Sequence, residues 1–148
     1  MHCFGEFNVR GGSSLDWGAL RAPIAIALGA MGGALCRYYV SLAAATISSS
    51  FPWGTAIVNI SGAFLMGLLV ALSPRLGLSP DARLLLGTGF LGSYTTFSTY
   101  VLEGTTLWQT GQGASALVYC LGSLIGGLVC VGAGLVVGAR LAGILNVG

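Results

Sequence analysis

Glycine and hydroxyl residues interrupt an otherwise apolar stretch, GFLGSYTTFSTY, which covers residues 89–100. Glycine is about 1 kcal/mol worse than alanine inside a helix, and serine and threonine compete for backbone hydrogen bonds. A helix would therefore be weakest here, and carbonyl groups freed around Gly92 and Thr95 could coordinate a hard cation. Phe97 and Tyr100 lie three residues apart, so they would share one face of a helix that resumes after a break. A kinked helix whose hydroxyls bond to the preceding turn is the simpler alternative.

Other polar side chains also stand in apolar surroundings. Asn59 lies within WGTAIVNISGAFLMGLLVAL, where its amide must find a partner: either another helix or an anion that has lost its water. Tyr119 and Ser123 are four residues apart and, with Ser115, would place hydroxyls along one stripe of a helix. Hydrogen bonding between helices explains such a stripe, and so does a polar track lined by water.

Two charged residues lie close to apolar segments. Arg37 stands beside Tyr38 and Tyr39, a pattern typical of a helix end whose guanidinium reaches toward the membrane surface. Drawing anions into a vestibule is the alternative for Arg37. Glu103 is the only acid near an apolar segment other than Asp81, and we expect it to cap a helix or pair with a base rather than carry a proton.

The composition excludes several classes of protein. Apolar residues make up 55% of the 148-residue chain and charged residues only 7%, with a mean hydropathy of +0.88, whereas soluble domains carry about 25% charged residues. The chain is therefore a membrane protein. A net charge of +2 is too small for a nucleic-acid surface. The only histidine lies near the amino terminus, and no nucleophile has a visible catalytic partner, so an enzyme is not expected.

Hydropathy divides the chain into four segments, each long enough to cross a hydrocarbon core of about 30 Å as a helix. They cover residues 22–46, 53–73, 82–102 and 114–138. We expect residues 1–21 to be a polar leader without fixed structure, and 22–148 to form a single domain. Because backbone groups in lipid must bond internally, the predicted fold is an all-α membrane protein of four transmembrane helices, the third broken near its middle.

Glycines four residues apart predict close contacts between these helices, since small residues let two backbones approach each other. The pattern occurs once in the first segment and twice in the last. The pairs are Gly29 and Gly33, Gly122 and Gly126, and Gly134 and Gly138.

The arginines are distributed unevenly along the chain, which has no lysine. With four crossings, five arginines fall on the side of both termini and only Arg37 falls near the other. The five are Arg10, Arg21, Arg75, Arg83 and Arg140. The excess of positive charge predicts that both termini are cytoplasmic.

Three segments of the chain together resemble the CrcB/Fluc family of fluoride channels. They are GGALCRYY, FPWGTAIVNISGAFLMGLL and GFLGSYTTFSTYVLE, and the similarity covers roughly residues 25–138. The resemblance implies a passive, fluoride-selective channel in the cell membrane that lets cytoplasmic fluoride escape and so reduces its toxicity. It also implies two antiparallel subunits embedded in lipid, with two pores and a structural sodium ion at the centre of the dimer.

The resemblance also implies roles for single residues. Gly92 and Thr95 would supply backbone carbonyls to the sodium ion, and Arg37 would lie beside the vestibule. Five side chains would line the path of the ion, with the weaker match on the last helix. They are Asn59, Phe97, Tyr100, Tyr119 and Ser123.

Two features depart from the pattern of that family. Tyr100 stands where the family usually has a second phenylalanine, and its hydroxyl either donates to the ion or points away from it. The excess of arginine on one side is the other departure, because an antiparallel homodimer requires the same chain to insert both ways. The chain either does so despite this bias, or it pairs with an oppositely oriented sister subunit.

Two other functions fit a small four-helix membrane protein. A multidrug-type exporter would need a carboxylate buried in the membrane, and the first segment, APIAIALGAMGGALCRYYVSLAAA, has none. A subunit that only assembles a larger complex would account for the paired glycines. It would give no reason for a weak point in the third segment near Asn59.

Overall fold

The computed structural model describes residues 17–47 and 50–144, which are helical apart from short connections and include no strand. Helix α1 covers Trp17–Ala44 and α2 covers Trp53–Leu72. The third run, α3, has three consecutive pieces: Pro80–Arg83, a π-helix at Leu84–Leu91, and Gly92–Tyr94. Helix α4 covers Phe97–Gln109 and α5 covers Gly113–Ile144. The all-helical prediction is confirmed for these residues.

Three of these helices are long and apolar enough to cross a membrane, namely α1, α2 and α5. Their bounds lie close to the predicted segments, with two differences. Helix α1 begins at Trp17, so the predicted boundary between leader and domain falls inside it, and residues 1–16 lie outside the described residues. Helix α5 continues to Ile144, six residues beyond the predicted end at 138, because ARLAGI contains no proline that would break the helix.

The third predicted segment, residues 82–102, is divided between α3 and α4. Thr95 and Thr96 have extended backbone conformations and separate the two helices. The hydroxyl of Thr96 accepts a hydrogen bond from the backbone N–H of Thr99 at 3.3 Å, which caps the start of α4. Because the segment is divided, neither half is long enough by itself to cross the hydrocarbon core.

Glycine allows the helices to approach each other closely. A methyl group on Gly29 would collide with the carbonyl of Leu85, and one on Gly33 with that of Phe90, so α1 lies directly on the π-helix. Gly134 meets the backbone of α2 at Phe64 in the same way. The third pair is different: a methyl group on Gly122 would meet no described residue within 4 Å. Its other member, Gly126, lies against the side chain of Ile60 in α2, so this pair makes the predicted helix contact through one glycine only.

Large apolar side chains remain exposed along α1, α4 and α5. Phe97 is 77% exposed, and the outer face of α5 carries a row of leucine, isoleucine and valine residues more than half exposed. Such a surface is stable in lipid or against another apolar surface, but not in water. This distribution agrees with a multi-pass membrane protein.

Candidate functional site

The break between α3 and α4 is held by Asn59 of α2. The backbone N–H of Thr96 donates to Asn59 Oδ1 at 2.7 Å, and Asn59 Nδ2 donates to the carbonyl of Thr96 at 2.9 Å. These are the two backbone groups that an uninterrupted helix would have bonded internally. Asn59 therefore replaces helical hydrogen bonding at the point where the backbone becomes extended.

Asn59 also lies at the edge of a cavity of about 240 Å³ beside the break. Four of the predicted site residues share this cavity, and the rest of its wall is leucine and glycine from α5. The four are Asn59, Phe97, Tyr100 and Ser123. An amide, a hydroxyl and two aromatic rings from three helices thus converge on one space.

Tyr119 does not line this cavity. Its side chain is 1% exposed and lies behind Tyr100, with 5.3 Å between the two ring centroids. Its hydroxyl donates to Glu103 Oε2 at 2.7 Å. Phe51 covers its other side, edge to face at 5.6 Å. The predicted stripe on the last helix is therefore divided, with Ser123 at the cavity and Tyr119 in the packed interior.

An unbroken row of aromatic rings connects the cavity with the start of α2. Phe97 and Tyr100 have centroids 5.8 Å apart, and the row continues through Tyr119 to Phe51 and Trp53. Ring edges carry partial positive charge and ring faces carry partial negative charge. A row of this kind can therefore make weak electrostatic contacts with a neighbouring group without carrying a full charge itself.

Glu103 has a different environment from the one that we expect from the sequence. It accepts the hydroxyl hydrogen of Tyr119 instead of capping a helix or pairing with a base. It also lines a second cavity, of about 360 Å³, together with Thr55 and Thr99. The sequence marks Glu103 as an unusual acid, but it does not identify Tyr119, which is 16 residues away, as its partner.

Arg37 is not at a helix end, because α1 continues to Ala44. The side chain is half-buried, and its Nη1 donates to the carbonyl of Thr95 at 3.3 Å. The prediction of a guanidinium reaching to the surface from a helix end is therefore wrong in its geometry. Arg37 instead places a positive charge against the non-helical backbone.

Thr95 and Gly92 lie together at the end of α3, where Gly92 is exposed and Thr95 is half-buried. The N–H and the hydroxyl of Thr95 both donate to the carbonyl of Leu91, at 3.1 Å each. Its own carbonyl leaves the helical pattern because the residue is extended, with ψ of 156°. No group of three or more histidine, cysteine or acidic residues suited to a metal occurs among the described residues.

Sequence comparisons place the chain among known relatives. Residues 24–135 match the family model described as CrcB-like protein, Camphor Resistance (CrcB). A protein of Synechococcus sp. (strain JA-2-3B'a(2-13)) named "Fluoride-specific ion channel FluC" is 50% identical over 125 residues, which cover 83% of this chain and 95% of the relative. Proteins with the same name from Synechocystis sp. and Trichormus variabilis are 50% and 46% identical, over 83% and 84% of this chain and 96% and 92% of the relatives.

The matched region contains every candidate site residue, from Arg37 to Ser123, and spans the four helical segments of the membrane domain. The relatives are matched over nearly their whole length, so the similarity is not confined to one motif. The chain belongs to the CrcB family.

Proposed function

We propose that this protein is a passive, fluoride-selective ion channel of the cell membrane, and not an enzyme. The observation that supports this most directly is the convergence of Asn59, Phe97, Tyr100 and Ser123 on one cavity beside the break. The relatives named fluoride-specific ion channels support the choice of ion.

The chemistry of the cavity suits a small anion. The amide nitrogen of Asn59 carries two hydrogens, and one of them is used by the carbonyl of Thr96. The second hydrogen and the hydroxyl of Ser123 are donors that can replace water around fluoride. Ring edges attract an anion weakly, which matters because a channel site must also release its ion. Among the described residues, those that line this cavity carry no full positive charge, so none of them would hold fluoride too tightly.

The pathway is completed, in this proposal, by a second subunit packed antiparallel to the first. Phe97 is 77% exposed beside the break, and the outer face of α5 is apolar and uncovered. In a dimer of this kind, α3 and α4 together would form the third membrane crossing.

A homodimer is the simpler assembly, and a heterodimer with an oppositely oriented sister subunit is its alternative. The ion pair between Arg21 and Asp81, with 2.8 Å between nitrogen and oxygen, reduces the positive charge on the side of the termini. This ion pair weakens the bias that would favour a single orientation, and lipid would cover the remaining apolar faces.

The sodium ion of the proposal would be held by the carbonyls of Gly92 and Thr95 from both subunits. Carbonyl oxygens are suitable ligands for a hard cation, and the extended conformation of Thr95 turns its carbonyl out of the helix. When bound, the ion would supply positive charge at the centre of the dimer and link the two breaks. Arg37 shares the Thr95 carbonyl at 3.3 Å, so the ion and the guanidinium would lie close to each other.

Fluoride would move down its own gradient, out of a cytoplasm in which it has accumulated. The decisive experiment uses liposomes that contain only this chain and are loaded with fluoride and chloride together. Electrodes for both ions follow their release. Rapid fluoride release with chloride retained would support the channel and the homodimer.

Protein-free liposomes and liposomes containing the Phe97→Ile variant are the controls. Absence of fluoride release from the chain alone would contradict the homodimer. Absence of release after co-expression with an oppositely oriented family member as well would contradict the function. Release of both halides at equal rates would contradict selectivity.

A further inference from the structure

The hydroxyl of Tyr100 points away from the cavity whose wall its ring forms. Its oxygen donates to the backbone carbonyl of Cys120 in α5 at 2.7 Å, a short and therefore strong contact for two oxygen atoms. A phenol has one hydrogen to donate. Since that hydrogen is used by Cys120, the hydroxyl has none left for an anion.

The ring of Tyr100 is fixed on both sides. Its centroid lies 5.8 Å from that of Phe97 and 5.3 Å from that of Tyr119, in tilted arrangements of 38° and 49°. Tyr119 is itself fully buried and bonded to Glu103. The ring edge of Tyr100 is thus held in place at the cavity while its oxygen is turned toward α5.

Cys120 and Ser123 are three residues apart on α5 and so lie on the same face of that helix. The bond from Tyr100 therefore fastens α4 to α5 within one turn of the Ser123 hydroxyl. Since Phe97 belongs to α4 and Ser123 to α5, the bond restricts how far these two sides of the cavity can separate.

We propose that Tyr100 is a positioning residue whose hydroxyl fastens α4 to α5 and so limits the width of the ion path between Phe97 and Ser123. The inference rests on the proposed fluoride function. In this role the ring does what a phenylalanine would do, and the added hydroxyl excludes larger anions by preventing the helices from separating, without touching the ion.

The bond can be tested without measuring transport. Replacing Cys3, Cys36 and Cys130 by alanine leaves Cys120 as the only cysteine, so labelling cysteine with ¹³C and ¹⁸O at its carbonyl marks one group in the membrane domain. Infrared spectroscopy of the purified protein in lipid then reports on that carbonyl. Tyr100→Phe should shift the labelled band to higher frequency, because the carbonyl loses a hydrogen bond. An unchanged band would overturn the proposal.

The effect on selectivity is tested in liposomes loaded with fluoride and chloride. Tyr100→Phe should raise the ratio of chloride release to fluoride release roughly fivefold, the scale set by one hydrogen bond. Replacing Tyr100 with 4-aminophenylalanine, which restores a donor, should return both this ratio and the infrared band toward the original values. A hydroxyl that served the ion directly would give a different result, with fluoride release lowered tenfold or more and the band unchanged.

Tyr39→Phe is the matched control, since Tyr39 is 63% exposed on α1, and it should change neither measurement. A band shift in Tyr100→Phe with no fluoride release from the unaltered protein would leave the bond established and would contradict the fluoride function. Normal fluoride release with unchanged chloride release in Tyr100→Phe would overturn the role in selectivity alone.

Discussion

The two halves of α5 are held to their neighbours in different ways. Toward its carboxyl end, Gly134 and Gly138 lie against α2 so closely that a methyl group would meet its backbone or Ala71. Toward its amino end, α5 packs Ala116 and Cys120 against Leu107 and Gly104 of α4, and hydrogen bonds made by Tyr100 and Tyr119 are added to this packing. We refer to these regions as the glycine-packed half and the hydrogen-bonded half.

The two halves of α5 differ in how many polar side chains surround them. The glycine-packed half is held by shape, which requires no polar side chain in lipid. The hydrogen-bonded half lies beside amide, hydroxyl and carboxylate groups of α2 and α4, and among the described residues no buried side-chain oxygen or nitrogen lacks a partner. Polar groups in lipid are costly and are usually functional. We therefore expect changes in the glycine-packed half to affect stability, and changes around the break to affect transport.

The largest effect on transport is expected from Asn59→Asp. The carboxylate would lose the donor to the Thr96 carbonyl and would place negative charge at the cavity, so fluoride release should fall more than a hundredfold. The electrode assay in liposomes measures this. Elution of the variant at the position of the unaltered protein in size-exclusion chromatography shows that its assembly state is unchanged, and release equal to that of the unaltered protein would remove Asn59 from the mechanism.

The largest effect on stability is expected from Gly134→Ala. The added methyl group would collide with the carbonyl of Phe64, and forcing the helices apart should cost about 1–3 kcal/mol of unfolding free energy. Reversible unfolding in detergent provides the measurement. Gly122→Ala is the matched control in the same helix. It meets no described residue within 4 Å, so it should leave the subunit as stable or slightly more so. Equal destabilisation by both changes would remove the distinction between the two halves.

Phe97→Ile should separate transport from subunit stability. The side chain is 77% exposed within the subunit, so its replacement should alter unfolding by less than about 0.5 kcal/mol. Loss of the ring edge should lower fluoride release at least tenfold, a change of about 1.4 kcal/mol in the barrier. Leu102→Ile, at a 67% exposed position on the same helix, should change neither quantity. A Phe97 variant with normal release would show that the ring is not on the ion path.

The smallest of the expected effects is a change in sodium affinity caused by Arg37→Gln. If sodium binds at the Thr95 carbonyl, removing the adjacent guanidinium should tighten sodium binding by roughly threefold to tenfold, since two positive charges near one oxygen repel. The midpoint of sodium-dependent thermal stabilisation, with N-methylglucamine as the replacement cation, measures this. Weaker sodium binding in the variant would show that Arg37 orients the carbonyl instead of competing for it.

The sequence predicts the helices better than their contacts. Runs such as FPWGTAIVNISGAFLMGLL determine the helical bounds to within a few residues, because length and hydropathy are local properties. The glycine and hydroxyl cluster also contains the two non-helical residues, Thr95 and Thr96. Whether α3 and α4 form one membrane crossing is part of the proposed function, because it depends on the second subunit and the lipid.

The partners of the polar residues could not be predicted in the same way. Asn59 and Thr96 are 37 residues apart, and only the packing of α2 against the break brings them together. Gly122 and Gly134 belong to identical glycine patterns, yet only Gly134 contacts another helix, since the spacing does not specify which face of α5 is covered. The direction of the Tyr100 hydroxyl could not be predicted from the sequence either. A tyrosine at this position could point toward the cavity or away from it, and its hydrogen bond to the Cys120 carbonyl turns it away.

The division of the third segment at Thr95 and Thr96 has an electrostatic consequence. Each helix carries a dipole equivalent to about half a positive charge at its amino end and half a negative charge at its carboxyl end. Because α3 ends at Tyr94 and α4 begins at Phe97, a carboxyl end and an amino end meet on either side of Thr95 and Thr96, whereas an unbroken helix would have neither end there. The same break therefore offers partial negative charge to a cation and, a few residues later, partial positive charge to an anion.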